Sequence, residues 1–229
     1  MPRYSLAKID HARNTLQLHR LVQFFLRDQL DKTMWQDPRP RPFRMGFVWD
    51  VVGYGARTAR DKKRVQQRLP ALANVTLNDL GVTLASTDWQ GTGDGILVFL
   101  PEDLDFQRSL PQLLRSTVTH LAADNDEFRD QVQLRVAVDI GPVSVAQLGF
   151  DGAVATNLGR LVNSAPPRKW LADSLARQVA VVVSDRLHSF VVGEDMPGLP
   201  PEHFTHIDIR VKEVTTTAWL WTGHDPTHH

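Results

Sequence analysis

Two stretches of this sequence carry a carboxylate at the mouth of a hydrophobic strand, beside glycine. In "FVWDVVGYG" (47–55) it is Asp50, and in "GTGDGILVF" (91–99) it is Asp94. Two carboxylates brought to one polar notch repel unless one takes a proton or a cation sits between them. Hard oxygen donors of this kind suit Mg²⁺ or Mn²⁺, which take one or two protein carboxylates and fill their remaining positions with water and phosphate oxygens. The glycines that follow the first aspartate, Gly53 and Gly55, let phosphate oxygens approach the backbone closely. Each feature also has a plainer reading. "GDG" is commonly a β-turn, and an aspartate that opens a loop is commonly a turn former. Metal is favoured because both aspartates fall on strands that one topology sets side by side.

The elements that would position them follow from periodicity. Apolar residues at Leu16, Leu18, Leu21, Val22, Phe24, Phe25, Leu26 and Leu30 suggest an amphipathic helix within residues 4–34. "QDPRPRPF" (36–43) then breaks it as a linker. Residues 45–52 read as a buried strand, and 57–80 as a helix perturbed at Pro70. "GVTLASTDWQ" and "ILVFLP" read as two strands of a hairpin around "GTGDG". A helix follows over about 104–123, and "VQLRVAVDIG" is a strand that ends in the turn Gly141-Pro142. Residues 153–176 read as helical, interrupted at "APP". "VAVVVS" is a buried strand, and "HIDIRVKEVTTTAWLWTG" a closing hairpin. The order implies an α+β fold with a ferredoxin-like βαββαβ core, an extra C-terminal α-β and hairpin, and helices on one face of the sheet. The expected divisions are an N-terminal helix and linker over 1–43, a catalytic domain over 44–222, and a tail over 223–229.

Composition narrows the chemistry. Hydrophobic residues make up 42% of 229, enough for a sizeable core, and formal net charge is zero. No basic field argues for nucleic acid or an anionic membrane. Absence of cysteine excludes disulfides, thiolate metal sites and cysteine nucleophiles, and fits a cytoplasmic protein. The N-terminus has no apolar leader, and no stretch approaches the ~20 apolar residues of a spanning helix.

Five segments in order make the chain resemble a class III nucleotidyl cyclase catalytic domain over about residues 44–222. "FVWDVVGYG" and "GTGDGILVFLP" resemble its two metal-aspartate motifs. "LRVAVDIGPV" (134–143) resembles the strand and Gly-Pro turn after the second helix. "GRLVNSAPP" (159–167) resembles the arginine helix, and "IRVKEVTTTAWLW" the last hairpin. The resemblance implies two Mg²⁺ or Mn²⁺ ions per site on Asp50, Asp94 and the backbone carbonyl of Val51. It implies Arg160 as the transition-state arginine and Lys212 as the triphosphate lysine. It also implies a head-to-tail homodimer with two composite sites, supported by the N-terminal helix or independent of it.

The departures from the family concern the base. The position that reads adenine, four residues before Asp94, is Gln90, and its acidic partner position, eleven before Arg160, is Gly149. The ribose-orienting asparagine position is Thr156, with Asn157 next to it. A single cyclase domain without the purine readers is similar to the bacterial Pycsar pyrimidine cyclases, with Tyr54 in the base pocket. These make cyclic UMP or cyclic CMP as an anti-phage signal, which reaches a separate effector through the nucleotide and not by contact. UTP is the expected substrate. The alternatives are a purine cyclase, or a cyclase-like domain that binds nucleotide without turning it over. A polymerase palm or a diguanylate cyclase shares the core order, but the chain has no Gly-Gly-acidic-acidic signature, and the lack of a basic surface disfavours a nucleic-acid polymerase. Asp139 and Arg57 have structural readings at least as good as functional ones.

Overall fold

A computed structural model of the chain describes residues 7–10, 15–18, 41–147, 149–192, 198–211 and 214–223. The chain divides into two compact units, 1–40 and 41–229.

In the first unit, β1 (Ala7–Asp10) pairs antiparallel with β2 (Thr15–Leu18), with Ile9 opposite Leu16. This corrects the expected helix over 4–34 at its start. Leu16 and Leu18 alternate with Thr15 and Gln17, which is a strand period, and the 3-4 spacing of a helix begins only beyond Leu18. The rest of that expected helix lies outside the described residues.

The second unit is built on β3 (Phe43–Val51), β4 (Asp88–Gly91), β5 (Gly95–Phe99), β6 (Leu134–Pro142), β9 (Val179–Ser184), β10 (Phe204–Val211) and β11 (Val214–Trp221). Their order in the sheet is β10-β11-β9-β6-β3-β5-β4, and only β6 and β9 run parallel. A short hairpin of β7 (Ser144–Ala146) and β8 (Gly149–Asp151) follows β6. The βαββαβ core is complete, with α1 (Ala59–Asn78) after β3 and α2 (Phe106–Glu127) after β5. Three more helices follow: α3 (Ala153–Val162), α4 (Ala165–Ala172) and α5 (Asp185–Val191).

The two core helices share one face, as expected, but the later ones do not all join them. Phe47, Trp49, Val98, Val136 and Val181 pack with α1, α2 and α5. Val48, Leu97, Phe99, Ala137 and Val182 pack with α3 and with Trp170 of α4 on the other face. Strand residues alternate sides, so an all-apolar run such as "VAVVVS" signals cover on both faces. Each buried leucine or phenylalanine in these layers contributes about 1.5–3 kcal/mol.

Three local expectations shift. Of the expected 81–90 strand only the last three residues join the sheet, in β4, which ends one residue later at Gly91. Thr83 and Ser86 cap a 3₁₀ turn at Leu84–Ser86, taking backbone donors away from a ladder. β6 runs on through Pro142, because Val143 continues the pairing to the Pro42 carbonyl. The break between α3 and α4 falls at Asn163 and Ser164, and "APP" opens α4, where proline suits the first turn.

Candidate active site

Asp50 lies near the end of β3, opposite Gly95 of β5 and Arg135 of β6. By alternation it faces the α3 and α4 side, where Val48 also lies. Asp94 forms the end of the hairpin turn, and its carbonyl accepts from the Val51 amide at 2.9 Å. Gly95 allows this closeness: a Cβ there would stand 2.0 Å from the Trp49 carbonyl oxygen. The two sequence-predicted aspartates therefore share one end of the sheet. Asp94 is exposed, and its side chain has no hydrogen bond or ion pair among the described residues. Asp50 is 7% exposed. Burial pushes its pKa up, Arg135 beside it pulls it down, and Asp94 raises it again, with a smaller lowering by Arg168.

Val51 is buried, and Gly53, at φ 68°, starts the turn Tyr54–Ala56. That φ is left-handed and suits glycine. Lys62 of α1 donates to the Gly55 carbonyl at 2.8 Å and sits 5.8 Å over the Tyr54 ring, so the loop is tied to the helix behind it. Arg57 donates to the Gln131 carbonyl at 2.8 Å and is a loop fastener here. Tyr54 lines a cavity of about 370 Å³ with Gln66, Leu69, Trp89 and Asp94, on the α1 face of the sheet.

Gln90 follows Trp89 on β4 and so points to the opposite face. Its Oε1 lies where a side chain at Gly149 would begin, 2.5 Å from an added Cβ. The two positions that the resemblance assigns to the base are therefore adjacent, while Tyr54 is across the sheet from them. On α3, Thr156 is exposed and one turn before Arg160, which is half-exposed and has no hydrogen bond or ion pair among the described residues. Asn157 is committed elsewhere. It donates to Asp139 at 2.8 Å, and Arg186 grips the same fully buried carboxylate at 2.7 and 2.6 Å. Asp139 is thus a structural node. Lys212 lies outside the described residues.

The sequence reading missed Arg135 and Arg168. Arg135 donates to Asp50 Oδ2 through Nε at 3.0 Å and also through its terminal NH₂, and both side chains are nearly buried. A signal for it exists: an arginine inside the apolar alternation "LRVAVD" needs a buried anionic partner. Arg168, exposed on α4, reaches Asp50 only through its field. Nothing in its local sequence marks it.

Among the described residues no group of three or more histidines and carboxylates is built for a metal. The available donors are the Asp50 and Asp94 carboxylates and the Val51 carbonyl. Such a set fits Mg²⁺ or Mn²⁺ completed by substrate phosphate and water. Among the described helices none is long and apolar enough to cross a membrane.

The chain has the fold of adenylate and guanylate cyclase catalytic domains. An adenylate/guanylate cyclase/hydrolase from Silicibacter pomeroyi superposes with a TM-score of 0.57 at 17% identity, over 81% of this chain and 99% of that one. The guanylate cyclase domain of a protein from Catenaria anguillulae, in complex with GTP, gives 0.55 at 11% identity, over 80% and 98%. A dimeric guanylyl cyclase domain of a fusion protein from Blastocladiella emersonii gives 0.54 at 12%, over 80% and 97%. No protein-family model matches the chain, and no curated protein does.

Proposed function

We propose that this chain is a nucleotidyl cyclase that turns a pyrimidine nucleoside triphosphate, UTP foremost, into its 3′,5′-cyclic monophosphate and pyrophosphate. The carrying observation is the placement of Asp50 and Asp94 at one end of the sheet, where the amide of Val51 donates to the Asp94 carbonyl and Asp50 pairs with Gly95. The ribose 3′-oxygen attacks the α-phosphorus, the bond from that phosphorus to the β-bridging oxygen breaks, and the 3′-hydroxyl proton leaves to solvent or phosphate. Two Mg²⁺ or Mn²⁺ ions would lower the pKa of the 3′-hydroxyl and neutralise the triphosphate. Asp50, Asp94 and the Val51 carbonyl hold them. Gly53 and Gly55 leave the backbone open to phosphate oxygens.

Arg160 supplies a fixed guanidinium for charge that builds on the α-phosphate, a role suited to a planar donor with no partner among the described residues. Thr156, one turn away, takes the ribose, because Asn157 is spent on Asp139. Lys212 neutralises the β- and γ-phosphates. Tyr54 and Gln90 both serve the base, yet lie on opposite faces of the sheet. A site that contains both is formed by two copies of the chain, head to tail, with the metal aspartates of one beside Arg160 of the other. Gln90 against Gly149 leaves neither the lysine nor the acid that reads a purine, which supports a pyrimidine. The product then acts as a diffusible cytoplasmic signal for a separate effector, in keeping with the resemblance to the anti-phage pyrimidine cyclases.

The base assignment is tested by offering ATP, GTP, CTP and UTP in equal amounts with Mn²⁺ and identifying products by mass spectrometry. Cyclic UMP as the main product is expected. A purine cyclic nucleotide as the main product would remove the pyrimidine assignment.

A further inference from the structure

The Asp50–Arg135 pair has the geometry of a cation site already filled by the protein's own cation. Both Arg135 bonds converge on Oδ2. Oδ1 has no hydrogen-bond partner among the described residues. Asp94, whose carbonyl accepts from the amide of Val51 next to Asp50, is exposed, and its side chain has no hydrogen bond or ion pair among the described residues. A buried carboxylate with a guanidinium at hydrogen-bond distance has little to gain from a second cation unless the first withdraws.

We propose, on the basis of the cyclase reading above, that Arg135 is a gate on metal binding. It holds Asp50 until a polyphosphate anion arrives to receive the guanidinium, so that metal engages Asp50 together with the nucleotide and not before it. A guanidinium presents a fork of donors that matches phosphate as well as carboxylate, so the transfer leaves no buried charge unpaired. The consequence is a positive coupling between metal and nucleotide, equal in both directions. The free enzyme is thereby spared a metal in an empty site. Arg135 is a positioning residue in this scheme, acting on the metal through Asp50.

The test reads metal binding alone, with no nucleotide and no turnover. Free Mn²⁺ is followed by its EPR signal at pH 8 during titration of the wild-type protein, Arg135→Gln, and Arg135→Gln combined with Asp50→Asn. Arg135→Gln is expected to bind Mn²⁺ at least tenfold more tightly than wild type, and Asp50→Asn to abolish the gain. Equal affinity in wild type and Arg135→Gln would overturn the gate, and so would a gain that survives Asp50→Asn. Thermal melts report whether Arg135→Gln folds. If it does not, Arg135→Lys carries the test with a smaller gain in the same direction, since one amine cannot place two donors on the oxygen. The cyclase activity stands or falls separately, on whether wild-type protein yields any cyclic nucleotide.

Discussion

Asp50 is nearly buried and bonded to Arg135, and this pairing decides how it should be probed. Deleting one partner of a buried ion pair costs about 3–5 kcal/mol, because the other charge stays behind. Asp50→Ala therefore risks unfolding the site, whereas Asp50→Asn still accepts from Arg135. Asp50→Asn and Asp94→Asn should each reduce cyclic-nucleotide formation by at least about 10²-fold, the scale of losing a main electrostatic stabiliser, with a thermal melt close to wild type for Asp94→Asn and a loss of stability smaller than that of Asp50→Ala for Asp50→Asn. Arg160→Ala should lower kcat by about 10²–10³-fold with little change in stability, since the side chain has no partner among the described residues to lose. Both aspartates were legible from type and spacing. Arg135 was passed over because a charged residue in a strand announces that it needs a partner without saying which one. Only the register, Asp50 opposite Arg135, supplies the name.

At the scale of elements, the hairpin and strand β3 form one device. Gly95 brings Asp94 beside Asp50, and any side chain there meets the Trp49 carbonyl. Gly95→Ala should destabilise the protein by about 1–3 kcal/mol in urea unfolding and cut activity beyond what that loss explains, because Asp94 moves with the turn. Most strands and helices could be read directly, since "VAVVVS" and the 3-4 stripe of α2 are strong periodic signals. The failures were places where local chemistry competed with pattern. Thr83 and Ser86 captured backbone groups, and "TLQL" satisfied a strand period inside a longer apparent helix. The cover on the second sheet face was also hidden, because a run of valines does not say which helix will lie on it.

At the scale of the molecule, the proposed head-to-tail dimer would bring Tyr54 and Gln90, which lie on opposite faces of the sheet, to one site. Mixing Asp50→Asn with Arg160→Ala, each inactive alone, should restore activity. Random exchange makes half the dimers mixed, each with one intact site of two, so about a quarter of the wild-type rate per chain should return. No recovery after demonstrated subunit exchange would argue for sites within one chain. The fold also has a titrating element remote from this site. His188 lies stacked on Trp219 at 3.8 Å, and burial holds its pKa below the ordinary histidine value; Asp185 opposes this and His206 adds to it. A depressed histidine contributes stability above its unfolded pKa of about 6.5 and loses it as pH falls through the folded value. Urea unfolding should therefore show lower stability at pH 5.5 than at pH 8, with a smaller fall in His188→Phe.

Cyclisation on Asp50 and Asp94 is tested by incubating the purified protein with UTP and Mn²⁺ and measuring cyclic UMP and pyrophosphate together, beside Asp50→Asn. Cyclisation at these residues predicts equimolar products from the wild type and almost none from the variant. Failure to form a cyclic product from UTP or any other nucleotide, or equal product from Asp50→Asn, would contradict it.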